Sequence, residues 1–337
     1  MKMGSQKFKA LVVRETSKNI FTREIEERSV DELPPGDVLV RVCYSSLNYK
    51  DALSASGNKG VTRRYPHTPG IDVAGIVEES KTDKFSAGDE VLVTCYGLGM
   101  NVAGGFGQFI RVPAEWVMRV PEGLTQKECM IYGTGGFTAA HSIYRLRLHG
   151  VMPSDGKILV TGATGGVGSF SVAILAQLGY QVTAISGKES ARQFLADLGA
   201  REILGREAVH DTSGKLILKG KWAGVVDMIG GNILATAIKS TRYGGAVTCC
   251  GNIAEPEFTI NVYPFILRGV SLIGIDSAEC PMPLRKKIWD LLAREWRLDN
   301  LDIFCNEISL TDLDEYIDKM LAGGIQGRVV VDLWKGH

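Results

Sequence analysis

The feature that most constrains the fold is an uncharged stretch of 30 residues, Ile158 to Gly187, that contains six glycines. Its length would suit a membrane span, but the glycines, together with Gln177 and Gln181, interrupt it. It reads instead as strand, turn, helix and strand: a strand at 157–162, the turn Thr161-Gly162-Ala163-Thr164-Gly165-Gly166-Val167-Gly168, a helix over 167–178 and a strand at 181–186. Such a turn brings backbone N–H groups and the positive end of a helix dipole to a pyrophosphate. Glycine is required because a Cβ would block either the phosphate or the contact between helix and strand. From Gly162 the spacing is G-x-x-G-x-x-G, a variant of the usual fingerprint, and the strand before and helix after it give it weight. The other reading is a tight strand-to-helix turn that holds no ligand.

The end of the next strand decides which dinucleotide would fit. An NAD site usually places Asp or Glu about 20 residues beyond the glycines, on the ribose 2′-hydroxyl. Here the strand ends in Ser186, followed by Gly187, Lys188 and Glu189. A hydroxyl and an ammonium suit a 2′-phosphate, which a carboxylate would repel. The expectation is therefore NADPH. Glu189 then reads as a first-turn acid of the next helix, Arg192 as a solvated helix charge, and Arg206 as a group that can close over the phosphate.

At 337 residues the chain has room for about two domains. The first 125 residues read as β-rich, with strands at 10–13, 37–44, 73–77, 90–94 and 109–112 between Gly and Pro turns. Gly97 to Gly107 holds five glycines and no charge and reads as a loop. From about Met130 strands and helices alternate, with a helix at 189–198, strands at 225–229 and 246–250, and a helix at 232–240. The tail adds a strand at 270–276, helices at 284–295 and 311–322, and a last strand at 328–333. Alternation with uncharged strands implies an α/β fold whose parallel sheet is covered on both faces.

Composition excludes several classes. Apolar residues at 45% and charged residues at 23% are not those of a disordered chain. Equal numbers of basic and acidic residues, 38 each, lack the positive excess of a nucleic-acid binder. Seven cysteines with no C-x-x-C pair read as reduced thiols. The opening MKMGSQKFKA has no apolar run, so no secretory leader is expected. These readings point to a cytoplasmic protein with no membrane partner.

Several stretches together resemble the medium-chain dehydrogenase/reductase family: Ser45-Ser46-Leu47-Asn48-Tyr49-Lys50-Asp51-Ala52, Pro69-Gly70-Ile71-Asp72, Gly136-Phe137-Thr138-Ala139, the glycine turn, Pro264 to Val270, Gly274-Ile275-Asp276-Ser277 and Ile325-Gln326-Gly327-Arg328. More narrowly they resemble its zinc-free quinone oxidoreductase branch, in the group named for quinone oxidoreductases and acryloyl-CoA reductases. The resemblance implies a β-rich GroES-like catalytic domain (1–129), a doubly wound parallel-sheet Rossmann domain (130–265) and a segment (266–337) that returns to the first. Where zinc-containing members carry a first cysteine this chain has Asn48, and in place of their Gly-His-Glu it reads Gly70-Ile71-Asp72. Isoleucine cannot ligate zinc and an asparagine amide replaces a thiolate poorly. His67 and Cys95 have no compact ligand set around them in sequence, so no metal is expected.

Without a Lewis acid, the chemistry implied is hydride addition to the C=C bond of an α,β-unsaturated carbonyl, such as the short enoyl thioester acryloyl-CoA. The negative charge moved to the carbonyl oxygen then needs a donor and a proton. A phenol, with an ordinary pKa near 10, stays protonated at neutral pH. Tyr49 is the candidate, with Asn48 and Asp51 as supports. The other readings are that Tyr49 only packs on the cofactor and that Asp51 is a helix-start carboxylate. The resemblance also implies cofactor contacts from Tyr49, Ala163, Thr164, Gly165, Gly166, Val167, Ser186, Lys188, Arg206, Asn252, Ile266 and Ser277, and a homodimer joined through the strand at 270–276. That strand could equally be buried within one subunit. A basic cluster, Lys59, Arg63 and Arg64, could meet coenzyme-A phosphates or be a solvated loop. Two other functions remain open at this point: reduction of quinones, and a non-catalytic NADPH-binding sensor or scaffold.

Overall fold

The computed structural model describes residues 6–336. Residues 1–5, on which the expectation of no leader partly rests, and residue 337 lie outside the described residues. In chain order the elements are β1 (Lys7–Ser17), β2 (Ile20–Ser29), β3 (Val38–Leu47), α1 (Tyr49–Ala55), β4 (Asp72–Ser80), β5 (Glu90–Thr94), β6 (Phe109–Val112), β7 (Met118–Arg119) and α2 (Gln126–Leu148). There follow β8 (Lys157–Val160), α3 (Gly166–Gln177), β9 (Gln181–Ile185), α4 (Arg192–Asp197), β10 (Glu202–Leu204), β11 (Trp222–Asp227), α5 (Gly231–Lys239) and β12 (Thr241–Cys249). The last are α6 (Tyr263–Arg268), β13 (Ser271–Gly274), α7 (Met282–Ala293), β14 (Cys305–Ser309), α8 (Leu313–Leu321) and β15 (Arg328–Asp332). The chain forms two units: Met1–Thr134 with Ala278–Lys287 and Asn300–His337, and Gly135–Ser277 with Ile288–Asp299.

The first unit is built on a seven-stranded sheet in the order β14-β15-β3-β4-β5-β7, with β6 also pairing β3. A hairpin of β1 with β2 forms its own two-stranded sheet, with Leu11 and Val13 of β1 packed into the core of the unit. Strand β3 is largely buried because it has neighbours on three sides, which suits its run of Val and Leu. Antiparallel register places Val330 opposite Ser46 and Ser45 opposite Val73. The end of β3 and the first residues of β4 and β15 therefore meet, which brings Ser46, Asp72 and Arg328 together although they are far apart in sequence.

The second unit is a six-stranded parallel sheet in the order β10-β9-β8-β11-β12-β13. Renumbered within the unit this is 3-2-1-4-5-6, the doubly wound order of dinucleotide-binding domains, and the order reverses between β8 and β11. Strand β11 is buried at every position, as an interior parallel strand should be. Leu159, Val225 and Val247 of three strands pack with Leu234, Ala237 and Ile238 of α5. The fold is thus α/β, with a β-rich unit and a parallel Rossmann sheet.

Three elements that the sequence reading lacked show why it missed them. Helix α2 spans Gln126–Leu148, where Gly133-Thr134-Gly135-Gly136 obscures the helical pattern; Gly133 breaks the backbone at φ 49°, ψ −157°. The hairpin strand β2 and the strand β14 are largely polar and at least partly exposed, and lack the apolar alternation by which strands are recognised.

Candidate active site

A buried polar centre closes over Asp72 in the first unit. The Asp72 Oδ2 accepts hydrogen bonds from Ser46 Oγ (2.7 Å), Asn48 Nδ2 (2.8 Å) and the Thr134 backbone N–H (2.9 Å), and Oδ1 accepts one from Thr134 Oγ1 (2.6 Å). Arg328 lies 3.5 Å away as the ion-pair partner, both side chains being almost wholly buried. The guanidinium also donates to Asn48 Oδ1 (2.9 Å), Ser46 Oγ (2.7 Å) and the Ile131 carbonyl (3.2 Å). Gly133 is fixed by this centre, because a Cβ there would stand 2.6 Å from both Arg328 Nη2 and Asp72 Oδ2. Its positive φ is a second reason for glycine.

Asp51, at the third position of α1, is fully buried beside this centre. Its Oδ2 accepts from the Asn48 backbone N–H at 2.8 Å, one half of a capping box, and its Oδ1 accepts from the N–H groups of Gly70 and Ile71 at 3.2 and 2.8 Å. Burial and the neighbouring Asp72 charge push Asp51 up to about 7, against the pull of these donors. Burial likewise pulls Arg328 down, with Asp72 and Asp51 opposing it. Two carboxyls and one guanidinium thus share one interior. Asp51 is a helix-start carboxylate that ties α1 to the loop before β4, and Asn48 bridges Asp51, Asp72 and Arg328.

Tyr49 stands apart from these two. It opens α1 with 47% of its surface exposed, while Asn48 before it and Asp51 after it are anchored in the interior. Among the described residues no group of three or more His, Cys, Asp or Glu could hold a metal. Asp72 accepts four hydrogen bonds and faces a guanidinium, and Cys95 is a buried thiol, 3.1 Å from Thr134 Oγ1, pushed up to about 12 by burial. His67 is buried and pulled down by burial.

In the second unit the glycine turn joins β8 to α3. A Cβ on Gly168 would come 2.3 Å from the Gly162 carbonyl, so only glycine lets the first turn of α3 sit this close to the end of the strand. The Ala163 N–H is spent on the Ile185 carbonyl (3.2 Å) and the Gly165 N–H on that of Gly162 (3.1 Å). The donors left for a diphosphate are the opening N–H groups of α3, at Gly166 and Val167, together with Thr164. This cradle fits a dinucleotide. Sequence reasoning missed Asp227, at the end of β11 on the other side of the order reversal. It accepts from Thr161 Oγ1 (2.7 Å) and from the N–H groups of Ile229 and Gly230 (3.2 and 2.9 Å), which locks the ends of β8 and β11 together. Burial raises its carboxyl. Its only sequence signal is an acid closing the apolar run Trp222–Asp227.

The Ser186 hydroxyl accepts from the Lys188 N–H at 3.0 Å, shaping the loop after β9. A Cβ on Gly187 would lie 3.1 Å from Arg206 Nε, so the Arg206 guanidinium lies against the same loop. Glu189 is paired with Arg192 at 2.7 Å on the surface. Asn252, exposed just beyond β12, has its Cα 3.4 Å from where a Gly230 Cβ would be, at the carboxyl edge of the sheet. Ile266 is 67% exposed on α6, and Ser277 is half-buried beyond β13.

Residues 166–294 match the family described as zinc-binding dehydrogenase, and residues 34–122 match the alcohol dehydrogenase GroES-like domain. The chain is 40% identical to the acrylyl-CoA reductase AcuI of Ruegeria pomeroyi, over 97% of this chain and 99% of that one. It is 42% identical to YhfP of Bacillus subtilis, classed by name with the quinone oxidoreductases, again over 97% and 99%. A crystal structure of YhfP with NAD bound superposes with a TM-score of 0.95 at 41% identity, covering 98% of this chain and 100% of that one. The yhdH oxidoreductase of Salmonella enterica, in complex with NADP, gives a TM-score of 0.94 at 39% identity, covering 96% and 99%. Matches of this extent, on a chain with the strand order and glycine turn described above, place the protein in the medium-chain dehydrogenase/reductase family, as an oxidoreductase of its quinone oxidoreductase branch.

Proposed function

We propose that this oxidoreductase uses NADPH to reduce the C=C bond of an α,β-unsaturated carbonyl compound, with a short enoyl thioester such as acryloyl-CoA as substrate. The observation that carries the reading is an exposed phenol, Tyr49, fixed at the head of α1 above a centre whose cation is a guanidinium. Oxidising an alcohol calls for a Lewis acid at the alkoxide, and the lone pairs of Asp72 are already committed to Ser46, Asn48, Thr134 and Arg328. Reducing an enone calls only for a hydrogen-bond donor at the carbonyl oxygen. NADPH, when bound, supplies the hydride that the β-carbon takes up. Tyr49 Oη then donates to the carbonyl oxygen as the π electrons move there, and its proton can pass to the α-carbon and be replaced from water. Asn48 and Asp51 position Tyr49 from within the protein and do not reach substrate. Ser186, Lys188 and Arg206, with Glu189 engaged elsewhere, support NADPH over NADH.

Three further features belong to the same reading. The strand β13 forms one edge of its sheet and carries the exposed Leu272, with Ile266 and Leu267 exposed on α6, which supports a homodimer joined along that edge. All seven cysteines are free, which supports a reducing, cytoplasmic setting. No helix among the described residues is long and apolar enough to cross a membrane.

The test is oxidation of NADPH and of NADH, side by side, with acryloyl-CoA and with a simple quinone, repeated with Tyr49→Phe. The expected result is NADPH-specific turnover of the thioester and a kcat at least tenfold lower in the variant, with NADPH affinity unchanged. Turnover of the quinone alone would move the function to quinone reduction, which the name of YhfP favours. Tight NADPH binding with neither substrate consumed would favour a binding protein. An unchanged kcat would remove Tyr49 from proton donation.

A further inference from the structure

We propose that Arg63 and Arg64 form a phosphate anchor for the nucleotide end of a coenzyme-A thioester, so that the chain selects its substrate by that handle as well as by its double bond. The inference rests on the reductase reading above and adds to it the residues that hold the nucleotide end of the thioester.

The argument begins with charge. The chain as a whole is neutral, yet the 20 residues from Ala52 to Ile71 contain no acid and carry Lys59, Arg63 and Arg64. The acids that flank this run, Asp51 and Asp72, are fully buried and face inward, where N–H and O–H donors and Arg328 engage them. Neither offers its charge to the loop surface. The three bases are not equivalent. Lys59 is paired with Glu15 and lies over the rings of Phe21 and Tyr65, at 5.2 and 4.8 Å from their centroids, so it serves to pin the loop to the β1–β2 hairpin. Arg63 and Arg64 are exposed and make no ion pair among the described residues.

The backbone that carries them is held firmly. Thr62, on one side of the pair, is fully buried with its Oγ1 2.7 Å from Ser54 Oγ, and Tyr65, on the other side, donates from its hydroxyl to the Ser54 carbonyl at 2.7 Å. Both anchors fall on one residue of α1. The Thr62 N–H donates to the Asn58 carbonyl, and Asn58 Oδ1 accepts from the Gly60 N–H, closing the turn before the pair. Two consecutive exposed arginines are thus carried by a tied-down loop fastened to the helix that Tyr49 opens. Ser54 is five residues past Tyr49, about 7.5 Å along the helix. A solvated loop has no need of such fastening, whereas a recognition site gains from it because less side-chain and loop freedom is lost on binding. Forked guanidinium groups match phosphate oxygens two at a time. A quinone or simple enone offers nothing to such groups. A coenzyme-A thioester offers a diphosphate and a 3′-phosphate at the end of a long flexible arm, so reduction can proceed at Tyr49 while the phosphates are held on the loop.

The experiment compares thioesters with and without the nucleotide. Propanoyl-CoA and propanoyl-pantetheine are titrated calorimetrically into the NADP-loaded protein, and KM is measured with the two acryloyl thioesters. The expected wild-type preference for the CoA form is tenfold or more, equivalent to about 1.4 kcal/mol, and it shrinks as salt is raised. Arg63→Ala/Arg64→Ala should bring the two forms to near parity by weakening the CoA form only, with kcat and NADPH affinity unchanged. Arg63→Lys/Arg64→Lys should keep part of the preference. A double-alanine variant that keeps the full preference would overturn the proposal, as would one that loses NADPH affinity, since the pair would then serve the cofactor. A CoA preference lost in the variant but present in a wild type that reduces neither thioester would sink the reductase reading and leave the anchor standing.

Discussion

Replacing Arg328 by Met tests the central claim about the buried centre. Methionine is close in length and apolar, so the change removes the charge and three hydrogen bonds while keeping most of the volume. Asp72 and Asp51 are then left buried with no cation in contact. Breaking a buried ion pair by removing one partner costs roughly 3–5 kcal/mol, and a unit of this size loses about 2–4 °C per kcal/mol. The expected fall in Tm at pH 8 is therefore about 10 °C. The pH dependence is the sharper part. Asp51 already sits at about 7, above its unfolded value, so the folded chain holds a proton that the unfolded chain has released. Stability from this group is full below about pH 4 and is lost as pH rises through 7. Without Arg328 the buried Asp51 carboxyl rises further, and the loss continues into the alkaline range. Scanning calorimetry at pH 5.5 and pH 8 should show a deficit in the variant about twice as large at the higher pH. A deficit of under about 2 °C at pH 8, or one equal at both values, would mean that the guanidinium does not neutralise this interior.

Two further changes address the cofactor and the metal. Ser186→Asp puts a carboxylate at the end of β9, and should raise KM for NADPH at least tenfold while lowering that for NADH; a cofactor preference left unchanged in steady-state kinetics would discard the loop after β9 as the selector. Dialysis against a strong chelator should leave kcat unaltered and added zinc should not raise it, because Asp72 accepts four hydrogen bonds and faces the Arg328 guanidinium; loss of activity that zinc restores would contradict this account of the donor set.

Much of the second unit was legible because its signals are local. The turn from Thr161 to Gly168 lies between a strand and a helix within one short stretch, and Gly168 answers to Gly162 a few residues before it. The interior parallel strands β8, β9 and β11 were readable as largely uncharged runs because burial on both faces removes polar residues from them. The hairpin strand β2 lacks such a signal: with one face in water and charged residues at Arg23, Glu24, Glu26, Glu27 and Arg28, its sequence has no apolar alternation. Helix α2 was hidden for a different reason. Gly133 reads as a breaker, and its positive φ together with the approach of Arg328 and Asp72 explains why a glycine stands there.

The buried centre shows where a sequence reading of this family stops. Asn48 and Ile71 were informative as substitutions, because each removes a zinc ligand type from a place where relatives have one. What replaces the metal could not be read in the same way. Arg328 lies 280 residues beyond Asn48 and reaches it only because the antiparallel register sets β15 against the end of β3. Its identity follows once the pairing is known. Asp72 and Asp51 bring two acidic groups into an interior where a lone charge is costly, and Asn48, Ser46 and Thr134 add only neutral dipoles. A cation is needed, and a guanidinium supplies it with enough donors to engage the carboxylate, the amide, the hydroxyl and a helix carbonyl together. A lysine could supply the charge but not this fan of bonds. A zinc ion would need ligands that are no longer there. The centre is thus balanced by a guanidinium rather than by a metal ion, and in the reduction proposed above the donor to the carbonyl oxygen is Tyr49.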